Sequence, residues 1–132
     1  MDFSLNEEQL TWQKKAREFA NTKLRPISMD RDQIEGGFGP WDWSVIEEGS
    51  KLGFRTQAVP KKWGGEGTGF VTQALVMMEL AKGDSAICKA FSQNWKWSHL
   101  IVNACNEDQK ERFLKPFIKD HRYLIGRGIT EP

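Results

Sequence analysis

DSAICKAFSQNWKWSHLIVNA, residues 84–104, is the stretch whose reading decides the fold. Apolar residues recur close to the helical period at Ala86, Ile87, Ala90, Phe91, Trp95, Leu100, Ile101 and Ala104. Lys89, Gln93 and Lys96 fall on the other face, and Asp84 or Ser85 can cap the start. The spacing predicts one long amphipathic helix. Trp95 and Trp97 are two apart and therefore point to different faces. One of them is expected in the core and the other against a partner domain or a substrate. Cys88 and Cys105 are read as sharing this helix. Seventeen helical residues span about 25 Å, far beyond disulfide reach, so two reduced thiols are expected.

Outward from this helix the chain continues in helical units. Toward the N-terminus lies a helix from Phe70 to Lys82 with Gly83 as its stop. Toward the C-terminus, Asn106 and Gln109 form a capping box for a helix through Phe113, Leu114, Phe117 and Ile118. Pro116 is expected to break or kink it. The first helix has the same start signal in Asn6 and Gln9, with Leu5 and Leu10 as a hydrophobic staple. It carries Trp12, Ala16, Phe19, Ala20 and Leu24 at helical spacing and is expected to end at Pro26. Residues 27–39 read as a polar connection with a short turn at Met29–Ile34. Another helix starts near Pro40, passes Trp41, Val45, Ile46 and Leu52, and is capped by Gly53.

Two segments are not helical. The glycine-rich stretch Ala58–Gly69 lacks the Gly-Lys-Ser/Thr of a phosphate loop and has no preceding strand for a dinucleotide fingerprint. It reads as a shaped structural loop. Tyr123–Thr130 is rich in β-favouring residues and reads as a first strand with nothing in the sequence to pair with.

Composition narrows the function. The 132 residues are 39% apolar and 28% charged, with a formal net charge of +1, which describes one soluble folded domain. Such balance leaves no electrostatic footprint for nucleic acid or an anionic membrane. The acidic start, Asp2, Glu7 and Glu8, does not resemble a secretory signal, and no apolar run is long enough to span a bilayer. A cytoplasmic setting is expected. His99 and His121, the two histidines, make no metal-ligand spacing. His99 stands near no recognisable nucleophile or orienting carboxylate and is read as structural, and His121, between charged residues, as solvated.

Four stretches together resemble the N-terminal helical domain of the acyl-CoA dehydrogenase family. Leu5–Gln9 followed by Ala16–Ala20 is similar to its opening helix, and Val59–Gly65 to its Val-Pro-x-x-Tyr-Gly-Gly loop, with Trp63 in the tyrosine's place. Met78–Ala81 resembles the next helix, and Asp108–Leu114 the Gln-Lys-x-x-Tyr-Leu run. Thr130-Glu131-Pro132 resembles the start of the flavin signature Thr-Glu-Pro-x-x-Gly-Ser-Asp. The order covers nearly the whole sequence.

The resemblance implies an all-α fold of about five helices over residues 1–121, with residues 122–132 opening a middle β-domain. It implies flavin adenine dinucleotide (FAD) as cofactor, an acyl-CoA as substrate, and electron-transfer flavoprotein or another acceptor as redox partner. A homo-oligomer and a place in fatty acid metabolism are also implied. A glutamate of the family's C-terminal part takes the α-proton, so no catalytic residue is expected here, and this piece is not expected to react alone. Thr130 and Ile129 would meet the flavin, with Arg127, where the family often has an aromatic residue, as a nearby positive charge; each could also be an ordinary strand residue. Cys88 and Ser92, at i and i+4, match residues that floor the acyl pocket, and Lys96 continues their stripe. The plainer alternative makes Cys88 core filling and Lys96 part of a solvated face. If Lys96 reaches the pocket, a substrate with a polar or negative tail is expected. Flavin monooxygenases and nitroalkane oxidases share the helical domain and remain alternatives, as does a short non-catalytic helical subunit.

Overall fold

Three caps fix where the helices begin. Asn6 accepts from the Gln9 amide at 2.9 Å while the Gln9 side chain accepts from the Asn6 amide at 3.0 Å. Asn106 and Gln109 repeat the arrangement, and the Asp84 carboxylate accepts from the Ile87 amide at 2.8 Å. Each cap satisfies amides that the first turn leaves without partners. The computed structural model describes residues 4–33, 43–126 and 128, with the backbone only at Asp32. Among these residues the elements are α1 (Glu7–Phe19), a π-turn (Ala20–Leu24), α2 (Arg25–Asp32), α3 (Trp43–Lys51), a short 3₁₀ turn (Lys61–Trp63), α4 (Phe70–Gly83), α5 (Ser85–Ala104) and α6 (Glu107–Lys119). The all-α expectation holds.

Pro26 does not end the first helix. It sits in the first turn of α2, where a missing N–H costs nothing. The Arg25 amide bonds five residues back to the Ala20 carbonyl. This wider turn gives the proline ring room that a regular α-turn would deny it. The polar connection expected from residue 27 is accordingly helical to Asp32. Pro116 likewise leaves α6 unbroken to Lys119, because Leu114 and Phe117 on either side are fully buried and hold the last turns in place. The expected strand is absent at Tyr123–Gly126, and the start at Pro40 lies outside the described residues.

Phe54 is the centre of the core. It is fully buried between Phe19, Phe91 and Trp12, with ring centroids 5.2, 6.2 and 6.3 Å away. Leu24, Ile46, Val76, Leu80 and Ile87 close around this cluster. A smaller cluster of Val59, Leu114 and Phe117 joins the loop to α6. The loop itself is knit by its own polar groups. The Thr68 hydroxyl donates to Gln57 Oε1 at 2.8 Å, and the Gly67 amide to the Val59 carbonyl at 2.8 Å. Gly53, at φ +89°, makes the turn out of α3 that a side chain would strain.

α1 and α4 are also joined by charge. Arg17 grips Glu79 with two N–H donors, at 3.2 and 2.9 Å, and Lys82 adds a third at 3.1 Å. The Arg17 hydrogen bonds, with help from Lys82, hold the Glu79 carboxyl below its ordinary value of 4.5 against the opposing effect of burial. A lowered carboxylate contributes stability above its unfolded value and loses it as pH falls. Glu79→Gln is therefore expected to cost about 1 kcal/mol at neutral pH, a figure discounted because Arg17 is half exposed. The gap from the parent, followed by urea denaturation, should close as pH drops below 4.5.

Arg55 carries no motif in the sequence, yet it is fully buried. It donates to Ser50 Oγ at 3.1 Å and to the Tyr123 carbonyl at 2.7 Å, and its guanidinium lies 4.2 Å from the Phe117 ring centre. Among the described residues its Nη2 has no hydrogen-bond partner. Burial pushes its pKa down to about 10. Two hydrogen bonds return part of what a buried cation without a touching carboxylate costs. Arg55→Met is expected to raise stability by about 1 kcal/mol. A loss of that size in thermal unfolding would contradict this.

Candidate functional site

The connection between α4 and α5 is a single residue, Asp84, so the two helices lie against each other from their shared end. Their inner faces enter the core through Val76, Leu80, Ile87 and Phe91. Their outer faces leave apolar side chains in solvent, with Phe70 73% exposed, Met78 59% and Val71 58%. Between the helices run two hollows. One, of about 390 Å³, is walled by Phe70, Gln73, Met77, Ser92 and Trp95, with Lys96 and His99 at its rim. The other, of about 430 Å³, is bordered by Met77, Met78, Cys88, Lys89 and Ser92. They adjoin at Met77 and Ser92 and together make up the α4–α5 trough.

The trough has a rigid floor. Trp95 is buried, and its Nε1 donates to the Phe54 carbonyl at 2.6 Å, which ties this wall to the core. Asn94 holds α5 from the other side, donating to the Ala90 carbonyl at 2.6 Å and accepting from the Ile125 amide at 2.7 Å. That last bond takes an amide of the run expected to be a strand.

The three residues expected at an acyl pocket all border this trough. Cys88 is 4% exposed and its thiol donates to the Met77 carbonyl at 3.3 Å. Burial, then the Asp84 charge, pushes its pKa up to about 11. It is a neutral packing group, and no nucleophile. Ser92 donates to the Lys89 carbonyl of its own helix at 3.3 Å. Lys96 is exposed, with its Nζ 4.8 Å from the Trp97 ring centre. Both cysteines are free thiols.

Other expectations need correction. Trp95 and Trp97 are both buried, and Trp95, the one in the main core, also borders the trough. Their faces differ, but the packing around α5 covers both. His121 is half-buried, and its Nδ1 is shielded with no hydrogen-bond partner. It borders a hollow of about 460 Å³ at the end of α6, whose lining mixes Glu47 and Asp120 with Lys119 and Arg122. Opposite charges there offset one another and favour no one ligand. His99 is exposed, edge-on to Phe70 with centroids 5.7 Å apart. The α4 wall was missed in the sequence. Its signal was the apolar doublets Phe70-Val71 and Met77-Met78, which put apolar groups on more than one helix face.

Among the described residues no group of three or more His, Cys, Asp or Glu could hold a metal, and no helix is long and apolar enough to cross a membrane. Arg127, Ile129 and Thr130, expected at the flavin, lie outside the described residues. At the neighbouring Gly126 and Gly128, a side chain would begin with no atom within 4 Å.

Residues 6–121 match the family model described as acyl-CoA dehydrogenase, N-terminal domain. The whole chain is 33% identical to glutaryl-CoA dehydrogenase of Desulfococcus multivorans, covering 34% of it. It is 32% identical to the short-chain-specific acyl-CoA dehydrogenase of Megasphaera elsdenii, also covering 34%. The solved butyryl-CoA dehydrogenase of Megasphaera elsdenii superposes with a TM-score of 0.82 at 30% identity, over 94% of this chain and 32% of that one. The chain thus spans about a third of the length of the curated relatives it matches. Its fold matches one part of a solved enzyme, and the chain belongs to the acyl-CoA dehydrogenase family as an N-terminal helical domain.

Proposed function

We propose that this chain serves a flavin-dependent acyl-CoA dehydrogenase, in which it walls the acyl pocket and borders one edge of the flavin site. The observation that carries the reading is the α4–α5 trough. Cys88 and Ser92, which resemble residues of the family's pocket floor, and Lys96, which continues their stripe, all border it. Phe70, Met77 and Trp95 give it the apolar surface that an acyl chain needs. Relatives named as dehydrogenases of glutaryl-CoA and of short acyl-CoAs support the thioester substrate.

In this reading residues 1–121 form the helical domain and 122–132 open the middle β-domain. FAD, when bound, supplies the hydride acceptor. This chain's part is to bind and orient. Trp95, anchored to the Phe54 carbonyl, sets one wall of the chain channel. Met77 adapts to chain shape because its side chain is flexible. Closure of the trough by the acyl chain excludes water from the neighbouring reaction centre. Arg127, Ile129 and Thr130 are proposed to contact the flavin, Thr130 through a hydroxyl or backbone hydrogen bond at the pyrimidine end. No described residue is assigned the proton abstraction, so the reaction needs more than these helices. The redox partner is an electron-transfer flavoprotein or a comparable acceptor, and the working enzyme is an oligomer in the cytoplasm.

The test is oxidation of a panel of acyl-CoAs by the flavin-loaded enzyme with an artificial electron acceptor. Turnover to the α,β-unsaturated thioester is expected. Flavin reduction only by a nitroalkane, or oxygen insertion fed by a reduced nicotinamide, would contradict it.

A further inference from the structure

The trough is basic where it is not apolar. Lys96 and His99 stand at the rim of one hollow and Lys89 borders the other, while no carboxylate lines either among the described residues. Five of the eleven other lysines are paired among the described residues. Lys23, Lys51, Lys82, Lys110 and Lys115 each hold a carboxylate within 3.1 Å. Among the described residues Lys96 has no such partner; its ammonium lies 4.8 Å from the Trp97 ring centre. An exposed ammonium is well solvated and costs nothing in the empty trough. A chain that fills the trough removes that water. Against a plain alkyl end the charge would then be desolvated without a partner. Against an anion it gains a charge-assisted hydrogen bond instead.

We propose that the trough selects acyl chains that end in a carboxylate, with Lys96 as the residue that reads the terminal charge and His99 as a second donor. The apolar walls of Phe70, Met77 and Trp95 take the methylenes between thioester and carboxylate. The inference rests on the acyl-CoA reading above and adds the substrate class. It involves no new reaction step. It concerns which end group the site prefers.

Binding separates this inference from the reading beneath it. The probes are carboxybutyl-CoA and pentyl-CoA thioethers, which match in length and lack the carbonyl needed to react. Titration calorimetry on the flavin-loaded enzyme is expected to favour the carboxylate ligand by roughly tenfold, the scale of one charge-assisted hydrogen bond. Lys96→Met should bring that ratio to about one, and Lys96→Arg should keep most of it. If both ligands bind the parent enzyme equally, or the ratio survives in Lys96→Met, the carboxylate inference is overturned while the acyl-CoA reading stands. If neither thioether binds, the acyl-CoA reading fails and the inference falls with it.

Discussion

Phe54→Ala is expected to lower stability by about 3–5 kcal/mol, the range for truncating a fully buried phenylalanine. Phe54 has no exposed surface and touches aromatic rings from α1 and α5 at once. Its backbone carbonyl also accepts the Trp95 indole N–H, so the residue joins the core to the trough wall. The loss should therefore be read twice. Urea denaturation should show the fall in stability, and exchange of the Trp95 indole N–H, followed by NMR, should speed up as the wall loosens. Phe54→Leu keeps most of the volume and should lose less than half as much. Equal losses in the two variants would mean that cavity formation is not what Phe54 prevents.

Gly83→Val is expected to cost about 3 kcal/mol, the upper end of ordinary overpacking. A first side-chain atom at Gly83 would stand 2.8 Å from the Ala20 carbonyl oxygen and 2.8 Å from Leu24 Cβ. The first neighbour is backbone, in the π-turn, and cannot rotate away. α4 could admit valine only by drawing back from the first helix, which would disturb the Arg17–Glu79 grip nearby. A thermal melt is the measurement. Unchanged unfolding would mean that the π-turn yields freely, contrary to the close approach of Ala20 and Leu24 to Gly83.

The sequence spoke most clearly at helix starts. Asn6, Asp84 and Asn106 act through short-range hydrogen bonds, so local reading found all three. It failed at the prolines for the opposite reason. Whether Pro26 or Pro116 stops a helix depends on what the neighbouring turns can bury, and Leu24, Leu114 and Phe117 are each fully buried by distant parts of the chain. Arg55 escaped notice because its burial depends on Phe117 and Tyr123, more than sixty residues away. Trp95 and Trp97 could not be told apart in the sequence, because helical spacing gives a face but not what covers it.

The trough was half legible. The α5 side came from the resemblance, through Cys88, Ser92 and Lys96. The α4 side, with Phe70 and Met77, required the two helices to be set against each other. The basic rim with no lining carboxylate is likewise a property of the pair.

The measurement that meets the central claim most directly is a crystal structure of the flavin-loaded enzyme with an unreactive CoA thioether bound. The account predicts alkyl density between Phe70, Met77 and Trp95, passing Ser92 toward Lys96. An alkyl chain lodged elsewhere, with the α4–α5 trough covered by protein, would contradict it.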